Sequence, residues 1–395
     1  MTARPVRAAL LCAGLAVLPA AALAAGSPAQ PAAAVPVSPS ALPGWADDDQ
    51  AAALAAFLRS CARPAPAAEA AGGPAVGVDP QNLAAACAAA RALPAPADRG
   101  AARRFFESRF DAVFPPAPES GFLTGYFEPV LAGSRVRSAR YPVPLHALPA
   151  DLVALGGDDR PAGLDAALTA ARRQDDGSLV AYPDRAAIAA GALDGQGLEL
   201  LFVESPVEAF FAQVQGSLTV RLEDGSTERL GYAGRNGYPY TAIGRILIAR
   251  GAISREEMTA DRLKAWLESH PDEAPAIMAA NRSYVFFRRL GTGEPGAGPP
   301  GTAGVALTPG RSLAIDGTLH LLGTPMWIMA GNADAGQGDA PLNRLVVAQD
   351  TGSAIRGAGR GDLFIGSGAA AGLVAGRLRH PMQLAVLVPR GEPRP

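Results

Sequence analysis

Apolar positions recur at helical spacing over the first quarter of the chain and at strand spacing over most of the rest. Residues 47–61, DDDQAAALAAFLRSC, predict a helix with acidic residues in its first turn and an apolar face of Ala, Leu and Phe. PQNLAAACAAARAL (80–93) and DRGAARRFFESRFDAVF (98–114) predict two more helices, the second capped by Asp98. After Pro118 the pattern shifts to short β-type runs broken by Gly and Pro: GFLTGYFEPVL, LELLFVES and GSLTVRLEDGSTERLGYAG. A helical stretch, 254–281, interrupts them. The Gly/Pro-rich segment 291–304 predicts a flexible connector and a domain boundary. Beyond it SLAID, TPMWIMA, RLVVAQD, GDLFIG and MQLAVLVP follow at short intervals, the spacing of a small barrel or sandwich.

Length and composition narrow the function classes. A chain of 395 residues has room for two domains and a sizeable core. The net charge of −2 gives no electrostatic case for nucleic acid or an anionic membrane surface. At the start, Arg4 and Arg7 precede an apolar run from Ala8 to Leu18 and a small-residue ALAA, the pattern of a secretory signal cut after Ala24. Cys12 follows Leu11 where a lipobox wants a small residue, so lipidation is the minority reading. Residues 25–44, rich in Ala, Pro and Ser, read as an unstructured tether. The remaining cysteines, Cys61 and Cys87, form an even pair in an oxidising compartment and are expected to be disulfide-bonded. His146, His270, His320 and His380 are scattered, with no metal-ligand spacing, so no metal and no cofactor is expected.

The chemistry concentrates in LVVAQDTGSAIRGAGRGDLFIG, 345–366, where Asp350 and Asp362 flank a Gly-rich turn. An aspartic protease needs two equivalent D-T/S-G turns sharing a proton, and the chain has one. A bland reading remains: a hairpin in which Asp350 caps a turn, Gly352, Gly357, Gly359 and Gly361 supply positive φ, and Asp362 is merely exposed. Likewise Asp316 reads as a turn cap, Tyr126 and Phe127 as core aromatics on a strand, and Trp327 as core.

Six segments in order, GFLTGYFEPVL, QVQGS, GYAGRNGYPYTAIGRILI, NRSYVFFR, LTPGRSLAID and VAQDTGSAIRGAGRGDLFIGSG, resemble the MltA family of lytic murein transglycosylases from about Gly121 to about Gly368. The resemblance implies a mainly β protein with N-terminal helices. Residues 45–128 and 300–395 would hold the helices and a double-psi β-barrel catalytic domain, and 129–299 an inserted β-domain with a helical segment. Glycan would lie in the groove between the two. By position Asp362 matches the family's single catalytic acid, Asp350 its supporting aspartate and Asp316 the third carboxylate of three-aspartate barrels. Thr124, Gly125 and Tyr126 match a glycan-contact segment, and Gln215 a second one. Leu218 stands where a glycine is usual, and AIDGTLHLLGT (314–324) departs from the family's loop.

The implied substrate is the glycan strand of peptidoglycan, cut between N-acetylmuramic acid and N-acetylglucosamine with formation of a 1,6-anhydro end. The implied place is the periplasm, with outer-membrane association and protein partners in wall synthesis or division left open. Two other functions stay open: an inverting glycoside hydrolase on the same barrel, with Asp350 as base, and a non-catalytic, expansin-like wall-binding protein.

Overall fold

The computed structural model describes residues 35–62, 76–115, 121–156, 160–291, 298–331 and 341–391. The expected signal segment, Cys12 included, lies outside them. Three helices come first: α1 (Gln50–Cys61), α2 (Pro80–Arg91) and α3 (Arg99–Arg109). Each is capped by an aspartate side chain, Asp49, Asp79 and Asp98, which accepts backbone N–H groups of the first turn. The acidic run before α1 therefore lies upstream of the first turn, not within it. Its middle member, Asp48, points inward and takes both Nη atoms of Arg311 at 2.8 and 2.9 Å. Cys61 at the end of α1 and Cys87 in α2 are joined as a disulfide.

The barrel closes from six strands: β1 (Gly121–Glu128), β2 (Ser312–Ile315), β3 (Pro325–Ala330), β4 (Leu342–Thr351), β5 (Arg360–Ser367) and β6 (Arg379–Pro389). Its circular order is β6-β3-β4-β2-β5-β1, with β1 pairing back onto β6. Two pairs, β2–β4 and β5–β1, are parallel and the others antiparallel. Closure leaves few unpaired edges, and the strand Phe110–Val113 adds outside β6. One apolar core joins barrel and helices: Phe57 of α1 packs edge-on against Phe106 and Phe110, and Trp45 lies 5.0 Å from Trp327, which is fully buried as expected of a core residue.

The chain between β1 and β2 builds a second six-stranded sheet, in the order 285–290, 227–235, 217–222, 130–134, 199–203, 143–146. Leu218, where a glycine was the expectation, is fully buried in that sheet's core. Helix α4 (Pro206–Gln215) packs on it, and the helical stretch expected over 254–281 resolves into Ala260–Ser269 and Ala274–Ala279.

Two expectations are corrected. The tether over 25–44 ends early: Val37 pairs with Ala112, and Leu42 is buried under the helices. Hydrophobic anchors at these two positions outweigh the Ala/Pro composition around them. The connector over 291–304 is likewise not free at its end, because Gly298 bonds Leu307 and Gly301 lies against β4. A Cβ at position 301 would sit 2.5 Å from the Gln349 carbonyl, so only glycine permits that approach.

Candidate active site

The stretch 345–366 is not a hairpin. Strands β4 and β5, which carry Asp350 and Asp362, are separated by the short strand β2. Ala314 of β2 is the register partner of Asp350 on one side and of Asp362 on the other, and Asp362 in turn faces Thr124 of β1. The two aspartates are thus two strand spacings apart, about 10 Å between backbones. The two carboxyls have separate hydrogen-bond partners, and among the described residues no bond joins them. Of the four loop glycines expected at positive φ, Gly357 alone adopts it, at 104°. Gly352 and Gly361 instead give room to Ile355 and Leu313.

A bulge places Asp350. The β2–β4 register passes from Leu313–Ala348 to Ala314–Asp350, so Gln349 is the extra residue. Its buried side chain binds Ser312, the Ala56 carbonyl and Ser60 of α1, so the helices brace the strand beside the site. Both oxygens of Asp350 are occupied. Oδ1 accepts Thr302 N, Thr302 Oγ1 and Thr351 N, each at 2.9 Å, and Oδ2 accepts the Tyr126 hydroxyl at 2.9 Å. Burial pushes the Asp350 carboxyl up, against the pull of those donors. The Tyr126 phenol is held well above its ordinary value by burial and by the charge of Asp350, and stays a donor.

Asp362 has different company. Its Oδ1 accepts the Thr124 hydroxyl at 2.6 Å, and its Oδ2 has no partner among the described residues. Thr124 Oγ1 receives Arg360 Nη2 at 2.7 Å. The carboxyl is half-buried. Burial pushes its pKa up to about 6; Thr124 and the Arg360 charge pull it down, and the Asp350 charge adds to the rise. A carboxyl in this state is half-protonated near pH 6 and exposes one oxygen to deliver the proton.

The other expected site residues divide. Tyr126 is half-buried, packs with its ring tilted 5.3 Å from that of Phe364 and hydrogen-bonds Asp350, so it is not a plain core aromatic. Gly125 lies under α5 (Ala369–Arg377), where a Cβ would stand 2.9 Å from Ala375 Cα. Gln215, the last residue of α4, accepts the Phe127 N–H at 3.0 Å and links the second sheet's helix to β1. Asp316 turns away toward the loop after β4. It accepts Thr318 N and Oγ1 and Gly357 N, and pairs with Arg356. Burial raises its pKa, but these partners outweigh it and hold the carboxyl below its ordinary value. Asp316 ties a loop, as its turn-cap reading expected.

Thr302 and Arg360 escaped sequence reasoning. Thr302 sits in a segment that composition marks as linker, and Arg360 looks like one more loop arginine. A usable signal was the glycine immediately before Thr302, since close backbone approach is one reason for glycine outside a turn. Among the described residues no cluster of three or more His, Cys, Asp or Glu could hold a metal ion, and no helix is long and apolar enough to cross a membrane.

Comparison with known proteins adds the following. A family model described as the MltA specific insert domain matches residues 122–288, and a 3D domain model matches residues 311–388. A membrane-bound lytic murein transglycosylase of Agrobacterium tumefaciens, known as a crystal structure, is 33% identical with a TM-score of 0.83. The match covers 91% of this chain and 98% of that one. Membrane-bound lytic murein transglycosylase A of Vibrio cholerae is 40% identical over 205 residues, 50% of this chain; the chain spans 54% of that relative's length. The crystal structure of Escherichia coli MltA with bound chitohexaose is 25% identical with a TM-score of 0.63, covering 91% of this chain and 92% of that one.

Proposed function

The chain belongs to the MltA family of lytic murein transglycosylases, and from that premise we propose that it cleaves peptidoglycan between N-acetylmuramic acid and N-acetylglucosamine, leaving a 1,6-anhydromuramic end. The observation that carries this reading is Asp362, a half-buried carboxyl with a pKa of about 6, one oxygen held by Thr124 and the other open. In the proposed reaction Asp362 Oδ2 gives its proton to the glycosidic oxygen as the bond to C1 breaks. The C6 hydroxyl oxygen of the same muramic ring then bonds to C1, and its proton passes to the ionised Asp362. The acid is regenerated and no water is consumed. An internal nucleophile has a high effective molarity, so a second enzymic carboxylate is not needed for attack.

Asp350 supports the acid without doing chemistry. Its charge raises the Asp362 pKa, while its own oxygens are committed to Thr302, Thr351 and Tyr126. That commitment counts against its activating a water, as an inverting hydrolase requires. The chitohexaose in the E. coli MltA structure supports a glycan chain as ligand. We place that chain between the barrel and the inserted sheet, near Thr124 and Gln215. The test is digestion of purified murein and mass analysis of the fragments. Anhydro ends, lighter by one water than hydrolysed ends, support the proposal. Free reducing ends support the inverting hydrolase, and glycan binding without cleavage supports a wall-binding protein. The relatives are membrane-bound murein transglycosylases by name, which agrees with action in the cell envelope, and we propose export by the N-terminal segment.

A further inference from the structure

We propose that Arg360 is a positioning residue that dictates which oxygen of Asp362 carries the acidic proton. The inference rests on Asp362 being the general acid.

A guanidinium only donates, and a hydroxyl has one proton to give. Arg360 Nη2 donates to Thr124 Oγ1 at 2.7 Å and so occupies an acceptor site of that hydroxyl. The threonine proton is then free to go to Asp362 Oδ1, 2.6 Å away. The adjacent positive charge polarises the hydroxyl, making it a better donor and a poorer acceptor. The opposite arrangement, with Asp362 Oδ1–H donating to Thr124, is thereby disfavoured. Oδ1 is kept as an acceptor and the carboxyl proton resides on Oδ2, the oxygen with no partner among the described residues.

Backbone pairing holds the arrangement. Arg360 and Asp362 are two apart on β5 and face Phe122 and Thr124 in register on β1, so both side chains lie on one face. Arg360 is clamped there by the Phe122 and Gly361 carbonyls, its guanidinium 5.8 Å from the Phe122 ring. The other charged or titratable groups around Asp362 do not duplicate it. Asp350 carries the opposite sign, and Tyr126 gives its hydroxyl to Asp350. On β2 the facing residue is Ala314, and Asp316 beyond it is tied to the loop. Arg379 of β6 faces Thr124 in register, but its guanidinium goes to the Met258 carbonyl.

The experiment is the pH dependence of kcat on murein glycan for wild type, Arg360→Met, Arg360→Lys, Thr124→Val and the Arg360→Met/Thr124→Val pair, each checked for folding by near-UV circular dichroism. Losing the positive charge raises the Asp362 pKa, so the alkaline limb of Arg360→Met should move up by about one pH unit. Its plateau kcat should fall roughly 3- to 10-fold as proton placement is lost. Arg360→Lys, which keeps the charge, should return the limb toward wild type. On the Thr124→Val background, Arg360→Met should cause no further drop in plateau kcat. If Arg360→Met does not fold, Arg360→Gln serves, with the same upward limb shift expected. An unmoved limb in the folded variant overturns the inference, as do fully multiplicative kcat losses in the pair. A wild type that makes anhydro product without any alkaline limb sinks the general-acid assignment, and this inference with it.

Discussion

Replacing Asp362 with asparagine should destroy activity and, at neutral pH, make the protein more stable. The side chain keeps its size and can still accept the Thr124 hydroxyl, but it neither delivers nor recovers a proton. General acid–base catalysis is worth typically ~10²–10⁴-fold, and both halves of the proposed reaction use this group, so kcat should fall at least that far. The stability effect follows from the same burial. The carboxyl titrates at 3.8 when unperturbed and at about 6 in the folded protein. Well below pH 3.8 it is protonated in both states and burial costs no charge. As pH rises toward and through 6, the unfolded chain ionises first and the folded state loses stability. A shift of about two units corresponds to about 3 kcal/mol, which partial solvent access reduces to about 2 kcal/mol. Asparagine has no charge to bury, so the variant should escape this loss. For a compact chain of this size that is a rise in Tm of about 3 °C. Calorimetry at pH 7.5 and pH 4 measures it: the variant should melt higher at pH 7.5, and most of the gain should be gone at pH 4, close to the unperturbed value. Equal or lower Tm at pH 7.5 would refute the claim that burial of Asp362 drives its pKa.

Three further outcomes follow from the same geometry. Asp350→Asn removes the negative neighbour and should lower the Asp362 pKa, moving the alkaline limb of kcat to lower pH while turnover persists; a loss as deep as that of Asp362→Asn would point to a catalytic base. Opening the Cys61–Cys87 link, which spans 26 residues, should cost up to about 3.5 kcal/mol by loop entropy. Denaturant titration of the double serine variant checks this, and an unchanged midpoint would contradict it. Gly125→Val drives a side chain into α5 at Ala375 and should cost ~1–3 kcal/mol by overpacking; wild-type stability would mean that the helix does not lie there.

Local features were legible because their causes are local. The Asp98 cap of α3 could be read because a short acceptor need only reach an N–H group three residues on, and Asp49 and Asp79 cap α1 and α2 in the same local way. Short apolar runs bounded by turn residues identified the strands of 324–330, 344–350 and 382–389. Asp350 and Asp362 stood out as carboxylates bordering a Gly-rich turn. Asp316 read as a turn cap because its Thr318 partners are two residues away.

What the sequence alone determined, then, is where elements begin, which faces they bury and which residues have the chemistry to matter. Tertiary structure decided how those residues meet. A period of two says which side of a strand is buried but not which strand lies beside it, so β4 and β5 looked like a hairpin until β2 was found between them. Only the tertiary pairing of strands brings Thr124 onto the Asp362 carboxyl, 238 residues away, and Tyr126 onto that of Asp350, 224 residues away. Composition marked Thr302 as linker because hydrogen bonding to a partner 48 residues on leaves no local trace. The acidity of Asp362 is likewise collective: it sums desolvation by segments from across the chain with the charges of Arg360 and Asp350. Arg360 and Asp350 share a sequence window with Asp362, but the desolvation that dominates comes from segments that no such window contains.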